Sequence, residues 1–451
     1  MKIIHWFFPI AFLLFSCTEN QTYKFRNNLQ NTGLFNSISI KEKPFELWKF
    51  QSGGSVFASA VSDNKRIYIG SGDHYFYCLN SKSGELIWKY KTSGKIYSTA
   101  VLDNKFVYFL SYDGFLYKLK KNTGKLIWKF ETEGEQKHLI KNYFNPNEMV
   151  EDFWDFYQSS PTIYRQTIYF GCGPNFYAVD IDSGKKKWQF TTEGAVHSSP
   201  AIKDNKVFFG SFDSRVYCID AHTGTEIWQY ETRRDTAQYV WMGIQASPVI
   251  ENDNLYIGSR DAMIYCLDIN TGDTIWTNNN FKRSWMPSSF AVGEYLYCGS
   301  SDGFRFYTID KNTGKIINTI NTGSYTFSSP VIDKEMAYIG TANGMLYGIN
   351  LKDQSISWQF KTKAIRHDTL NIFDNEGKMN SEKSKQYMIE MNANNYNDLV
   401  NMFFSFFKSS GAIVSSPLIQ NQMIYFGSSD GFVYALSINN SSKVDLAILS
   451  L

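Results

Sequence analysis

The chain has 451 residues, enough to bury a large core, and 45 basic against 43 acidic side chains leave a net charge of +2. That balance, with no basic stripe, excludes electrostatic capture of nucleic acid. Five of the six cysteines follow Cys17, an odd count without framework spacing that argues against a disulfide-built scaffold while leaving room for one pair, and the absence of any Cys-x-x-Cys or His/Cys cluster suggests no metal site.

Residues 1–16 read as an address. Lys2 precedes an apolar run from Ile3 to Phe15, too short to span a bilayer as a helix but suited to a signal-peptide core. The stretch Leu14-Phe15-Ser16-Cys17 resembles the bacterial lipobox, which makes Cys17 the expected lipidation site. Thr18, where Asp would signal retention at the inner membrane by the enteric sorting rule, implies the outer membrane. Residues 17–43 are expected to be a linker.

From residue 44 to 440 the chain repeats. Trp48, Trp88, Trp128, Trp188, Trp228, Trp276 and Trp358 are separated by 40, 40, 60, 40, 48 and 82 residues, and the last interval splits at Asn318 into 42 and 40. A Gly-Ser-x-Asp marker keeps the same beat, from Gly70-Ser71-Gly72-Asp73 to Gly427-Ser428-Ser429-Asp430, with degenerate copies making eight. Within one period, Ser198–Ile202, Val207–Ser211, Arg215–Asp220 and Glu226–Tyr230 read as four strands joined by turn residues. The expected fold is therefore all-β: a single eight-bladed propeller of four-stranded antiparallel blades.

The array opens on a lone fourth strand, Glu46–Phe50, and its last set stops after a third, Phe432–Ile438. The N-terminal strand is thus expected to close the eighth blade, leaving 441–451 as a tail. The repeated tryptophans are expected to pack between blades, each N–H finding a backbone acceptor. Cys78, Cys218 and Cys266 share a repeat position with Ala178, Gly348 and Ala435, which reads as small core filling. The recurrent aspartates read as turn residues.

The pattern Ala/Cys-x-Asp-x-x-Thr-Gly-x-x-x-Trp, then Ser-Ser-Pro, then Gly-Ser-x-Asp-Gly resembles the PQQ-type propeller repeat over residues 44–438. An eight-bladed, lipid-anchored layout is similar to the BamB-type outer-membrane assembly lipoproteins, as is the lead-in Arg26–Gly33.

Three insertions, 133–158, 233–245 and 361–411, fall between a Trp strand and the next inner strand, so all emerge on one face, where function is expected. By the resemblance, Asp152 and Asp155 of the first match an acidic loop that contacts the barrel-assembly partner, with Trp154 as an aromatic anchor. Arg233, Arg234, Tyr239 and Trp241, with Arg283 and Trp285 nearby, have the composition of a binding hot spot. The third insertion becomes helix-like over Leu399–Phe407 and is expected to cap the channel, the alternative being that its surplus apolar face meets a partner or a membrane. His197, where an inner strand begins, is expected to hydrogen-bond a neighbouring loop.

No two cysteines are adjacent, as quinone-dependent dehydrogenases of this repeat type require, and no hydrolase, zinc-protease or phosphate-loop motif is present. The expectation is a non-enzymatic, cofactor-free, monomeric propeller. It is lipid-anchored on the periplasmic face of the outer membrane and docks an envelope protein of the β-barrel assembly apparatus. A small-molecule or glycan sensor is the rival.

Overall fold

The computed structural model describes residues 23–234, 242–281, 284–367, 372–374, 380–391 and 393–438. Eight four-stranded antiparallel sheets form one propeller, with blades 1 to 7 spanning 61–91, 101–131, 162–191, 201–231, 249–278, 291–321 and 331–361. Blade 8 combines Leu418–Gln420, Met423–Gly427 and Phe432–Ser437 with the N-terminal strand Phe45–Gln51. Phe45 pairs with Ser437 and Gln51 with Phe432, so the chain's two ends close the ring as expected. The competing tail, 441–451, lies outside the described residues.

Each blade is twisted and apolar on both faces, so it can bury them only against its neighbours. Phe76 of blade 1 stacks on Phe109 of blade 2 with centroids 4.0 Å apart, and Phe176 of blade 3 stacks on Phe209 of blade 4 at 4.1 Å. On the outer strands, Trp48, Trp88, Trp188, Trp228 and Trp276 donate their indole N–H to a turn carbonyl of the next blade at 3.0–3.1 Å. The turn glycine lies under the ring. At Gly84, whose φ is +73°, a Cβ would sit 2.6 Å from Trp48. Asn318 stands in for the missing tryptophan of blade 6, and its amide reaches Gln354 O at 3.1 Å.

Blade 2 departs from this rule. Lys118 occupies the small-residue position and is 3% exposed. Its ammonium donates to Ile181 O at 2.7 Å and lies 4.2 Å from the Phe106 ring centroid. Ile181 O is the acceptor Trp128 would use, and the Trp128 N–H is buried without a partner.

The inner strands meet in a belt of hydroxyls built by the second residue of each Ser-Ser-Pro-like triplet. The amides of Ser59, Thr99, Ser160, Ser199, Ser247 and Ser289 each donate to the next blade's hydroxyl, and Ser416 N donates to Ser59 Oγ, all at 2.8–3.2 Å. Seven of the eight steps round the ring are joined in this way.

Residues 23–34, read from sequence as part of a linker, close the channel's far end instead. Their backbone bonds in turn to Leu102, Ile202, Ile250, Val292 and Ile332 on the inner strands of blades 2, 4, 5, 6 and 7. The Asn31 side chain, fully buried, donates to Pro200 O at 3.2 Å and Pro248 O at 3.1 Å. Asn31→Ala is expected to cost about 2–3 kcal/mol in chemical denaturation, because it strands buried carbonyls on two blades. A loss below about 0.5 kcal/mol, the size of a neutral surface change, would show that the segment does not bind the ring together.

Candidate functional site

The near end of the channel is covered by the first and third insertions together. The helix Tyr396–Ser410 begins at an Asn395 cap, whose side chain accepts from Asp398 N, and ends at Gly411 in the left-handed region. Its Phe403 ring lies 4.4 Å from Trp154 and 4.9 Å from Phe153, and Phe407 packs on Phe156 and Phe327. The capping role expected for this helix is thus shared with the first insertion.

Beneath this aromatic lid lies a buried charge cluster. His197, 2% exposed at the start of the blade 4 inner strand, sits between two carboxylates of the first insertion. Its Nδ1 is 2.6 Å from Asp155 Oδ1 and its Nε2 is 3.1 Å from Glu135 Oε1. Asp155 Oδ2 accepts from His138 N at 2.8 Å, and Glu135 Oε1 from Gly173 N at 2.7 Å. Burial alone would depress the histidine, but the charges of Asp155 and Glu135 and their hydrogen bonds raise it to about 10. Burial would likewise raise Asp155, yet the His197 and Arg260 charges hold it below the usual carboxylate range.

Asp152 forms a second pair with Arg260, whose guanidinium also donates to Gln245 Oε1 at 2.8 and 3.1 Å. Arg260 is 1% exposed and is sandwiched over Phe212 at 4.8 Å and Trp285 at 4.5 Å. Neither pair of charges faces solvent.

The sequence candidates are therefore redistributed. Asp152 and Asp155 are fully buried and bonded within the protein, so neither carboxylate is presented to a partner. Trp154 is packed against Trp285, Tyr325 and Phe327, and Trp285 is buried beneath Arg260. Arg233 and Arg234 are exposed on the rim, tied to Asp261 and to Glu193 and Glu231. Tyr239, Trp241 and Arg283 lie outside the described residues, as does Cys17. Glu135 and Arg260 were missed. Arg260 is the variable residue of a Gly-Ser-x-Asp marker. Tyr112 and Phe212 hold the same position and also reach this cluster.

Between lid and N-terminal plug the channel retains a cavity of about 50 Å³ lined mainly by the hydroxyl belt and by Phe57, Tyr97, Phe156 and Tyr157. Among the described residues no helix is long and apolar enough to cross a membrane, and no group of three His, Cys, Asp or Glu side chains could hold a metal ion.

The fold and channel define an eight-bladed propeller of the PQQ-repeat type. A family model described as outer membrane protein assembly factor BamB matches residues 42–146, 157–279 and 260–387, and the chain belongs to that family. The structure resembles BamB from Moraxella catarrhalis with a TM-score of 0.62 at 15% identity, covering 88% of this chain and 100% of that one. It also resembles a europium-containing methanol dehydrogenase with a TM-score of 0.66 at 12% identity, covering 92% and 98%. A curated 1-butanol dehydrogenase (cytochrome c) of Thauera butanivorans is 34% identical over 70 residues, which is 13% of this chain and 10% of that enzyme's length.

These matches correct the expectation of a non-enzymatic scaffold. Dehydrogenases share the fold to the same degree as the assembly factor, and the curated match is itself an enzyme, so fold and repeat do not set catalysis aside. The channel itself decides whether a quinone cofactor can be held. Small-molecule sites run to about 300–1,000 Å³, several times the space left here, because aromatic side chains fill the upper channel. The five described cysteines are free and buried, with none joined in a disulfide. The residues present do not fit a tricyclic quinone with its calcium ion.

Two outcomes follow. His197→Gln should destabilise the protein by about 3–5 kcal/mol, since it leaves two buried carboxylates uncompensated. Histidine stabilisation is complete below its ordinary value near 6.5 and is lost as pH rises through about 10. The Asp155 contribution is present above its ordinary 3.8 and lost as pH falls through the depressed value. The deficit of the variant in denaturant titrations should therefore be flat from about pH 5 to 6, shrink steadily as pH rises from about 6.5 toward 10, and shrink again as pH falls below about 4. In the second, protein incubated with PQQ and calcium should retain no quinone absorbance after gel filtration. Stoichiometric retention would refute the fit argument.

Proposed function

We propose that the protein engages another protein of the cell envelope through the hairpin of its first insertion. One observation carries this reading: Leu139, Tyr143, Phe144 and Met149, all on this hairpin, are each 45–47% exposed. Elsewhere the exposed large apolar residues are mostly scattered singly round the outer strands, as at Ile127, Ile227, Ile275 and Ile317. A concentration of this kind on a rigid support marks an interaction surface.

The support is rigid because the hairpin's other face is fixed. Leu139–Lys141 pairs with Met149–Glu151, which turns Ile140 and Val150 inward onto Trp285 and Trp154. Tyr396 of the capping helix donates its hydroxyl to Glu151 O. The buried carboxylates then have a supporting role: they anchor the base of the hairpin while its apolar edge meets the partner. The family description and the Moraxella catarrhalis neighbour favour a partner from outer-membrane protein assembly. The signal-like segment and Cys17 favour a lipid-tethered, envelope-facing location.

The test is photo-crosslinking in native membranes from a probe at position 143, compared with Leu139→Glu/Phe144→Glu. The expected result is a specific adduct with an outer-membrane β-barrel protein, reduced at least tenfold in the double variant while its melting temperature stays unchanged. Equal recovery from both proteins would remove the hairpin from the interface.

A further inference from the structure

The channel's other mouth, at the turns joining first and second strands, carries charge that the fold does not balance. Lys24 and Arg26 are 6% and 3% exposed. The Lys24 ammonium donates to Asn28 O at 3.0 Å and Asn31 Oδ1 at 2.5 Å, and the Arg26 guanidinium donates to the carbonyls of Asn31, Phe290 and Pro330. All these acceptors are neutral. The acids nearest the segment are engaged elsewhere: Asp63 with Arg66, Lys121 and Tyr68, and Asp333 with Ser39 and Tyr338. Two buried cations facing only neutral oxygens are costly. Burial, with the Arg26 charge beside it, pushes Lys24 down to about 7.

Lys24 forms part of the wall of a cavity of about 390 Å³, within the size range of small-molecule sites. The wall has no carboxylate. It offers the amides of Asn36, Asn64 and Gln420, the rings of Tyr23 and Phe35, and the hydroxyl of Ser37. Ser37 Oγ is buried without a hydrogen-bond partner. An ammonium has three donors, and two on Lys24 are used internally. A donor-rich, acid-free wall with an unspent hydroxyl and an unspent ammonium proton is the chemistry of an oxyanion site, and its amides and rings suit a polyhydroxylated body.

We propose that this cavity binds a phosphate ester of a small polyol or sugar, either free or as the headgroup of an envelope lipid. The phosphate oxygens accept from Lys24 and Ser37, and the hydroxyls exchange hydrogen bonds with the amides. The site lies on the face opposite the insertions and does not depend on the docking reading.

Titration calorimetry of the purified protein with sn-glycerol 3-phosphate, against glycerol at matched ionic strength, tests the free ligand. Flotation with phosphatidylglycerol-containing vesicles, against phosphatidylcholine alone, tests the lipid. Saturable binding in either arm is expected, and the arm that responds names the source. Lys24→Gln should abolish it. Because that change also touches the plug, Asn36→Asp is the second variant: the side chain is exposed, and the added charge should weaken binding at least tenfold with melting unchanged. Absence of binding in both arms, or binding unaltered by Asn36→Asp, overturns the proposal.

Discussion

In seven of the eight blades of this propeller the innermost backbone amide would be left unsatisfied if the next blade did not supply a hydroxyl. That requirement is met by the belt running from Ser59 through Thr99, Ser160 and onward to Ser416. Because each bond crosses a blade boundary, the belt ties neighbouring sheets at the axis, while the Trp-to-carbonyl bonds tie them at the perimeter. Between these two circles lie the stacked aromatic rings. The interior has little freedom to open, and the space left on the axis is too small for a cofactor of the quinone class.

The repeat was legible because each of its marks answers a local need: tryptophan for the blade interface, glycine for a positive φ, aspartate for the turn, hydroxyl for the belt. Blade count, strand order and closure by Phe45–Gln51 all follow from counting those marks. What could not be read is what breaks the period. Residues 23–34 have no strand alternation, yet they cross five blades using backbone bonds that no side-chain pattern announces. The acidic loop looked like a surface feature because its partners are remote: His197 is 42 residues from Asp155, and Arg260 is 108 from Asp152. Lys118 gave no warning either. A lysine in a small-residue slot is intelligible only once Ile181 O and the surrounding rings are seen.

The two ends of the channel are sealed by different chemistry. At the lid, acids outnumber bases, and two insertions share a layer of aromatic rings. At the plug, bases stand among neutral oxygens. A single propeller thus presents one face whose buried charges are paired with opposite charges and whose apolar hairpin projects, and another whose buried cations face only neutral oxygens. The two proposed sites, for a protein surface and for an anionic group, therefore lie on opposite faces of one ring.

The placement of the N-terminal segment also sets an order in time. Residues 23–51 are synthesised before any blade exists, but their partners extend to Ile332 and Ser437. The strand Phe45–Gln51 waits unpaired while some 380 residues follow, and contacts of such sequence separation are slow to form. That early strand is therefore fixed only when blade 8 arrives, and until then the ring remains an open arc with an exposed strand edge.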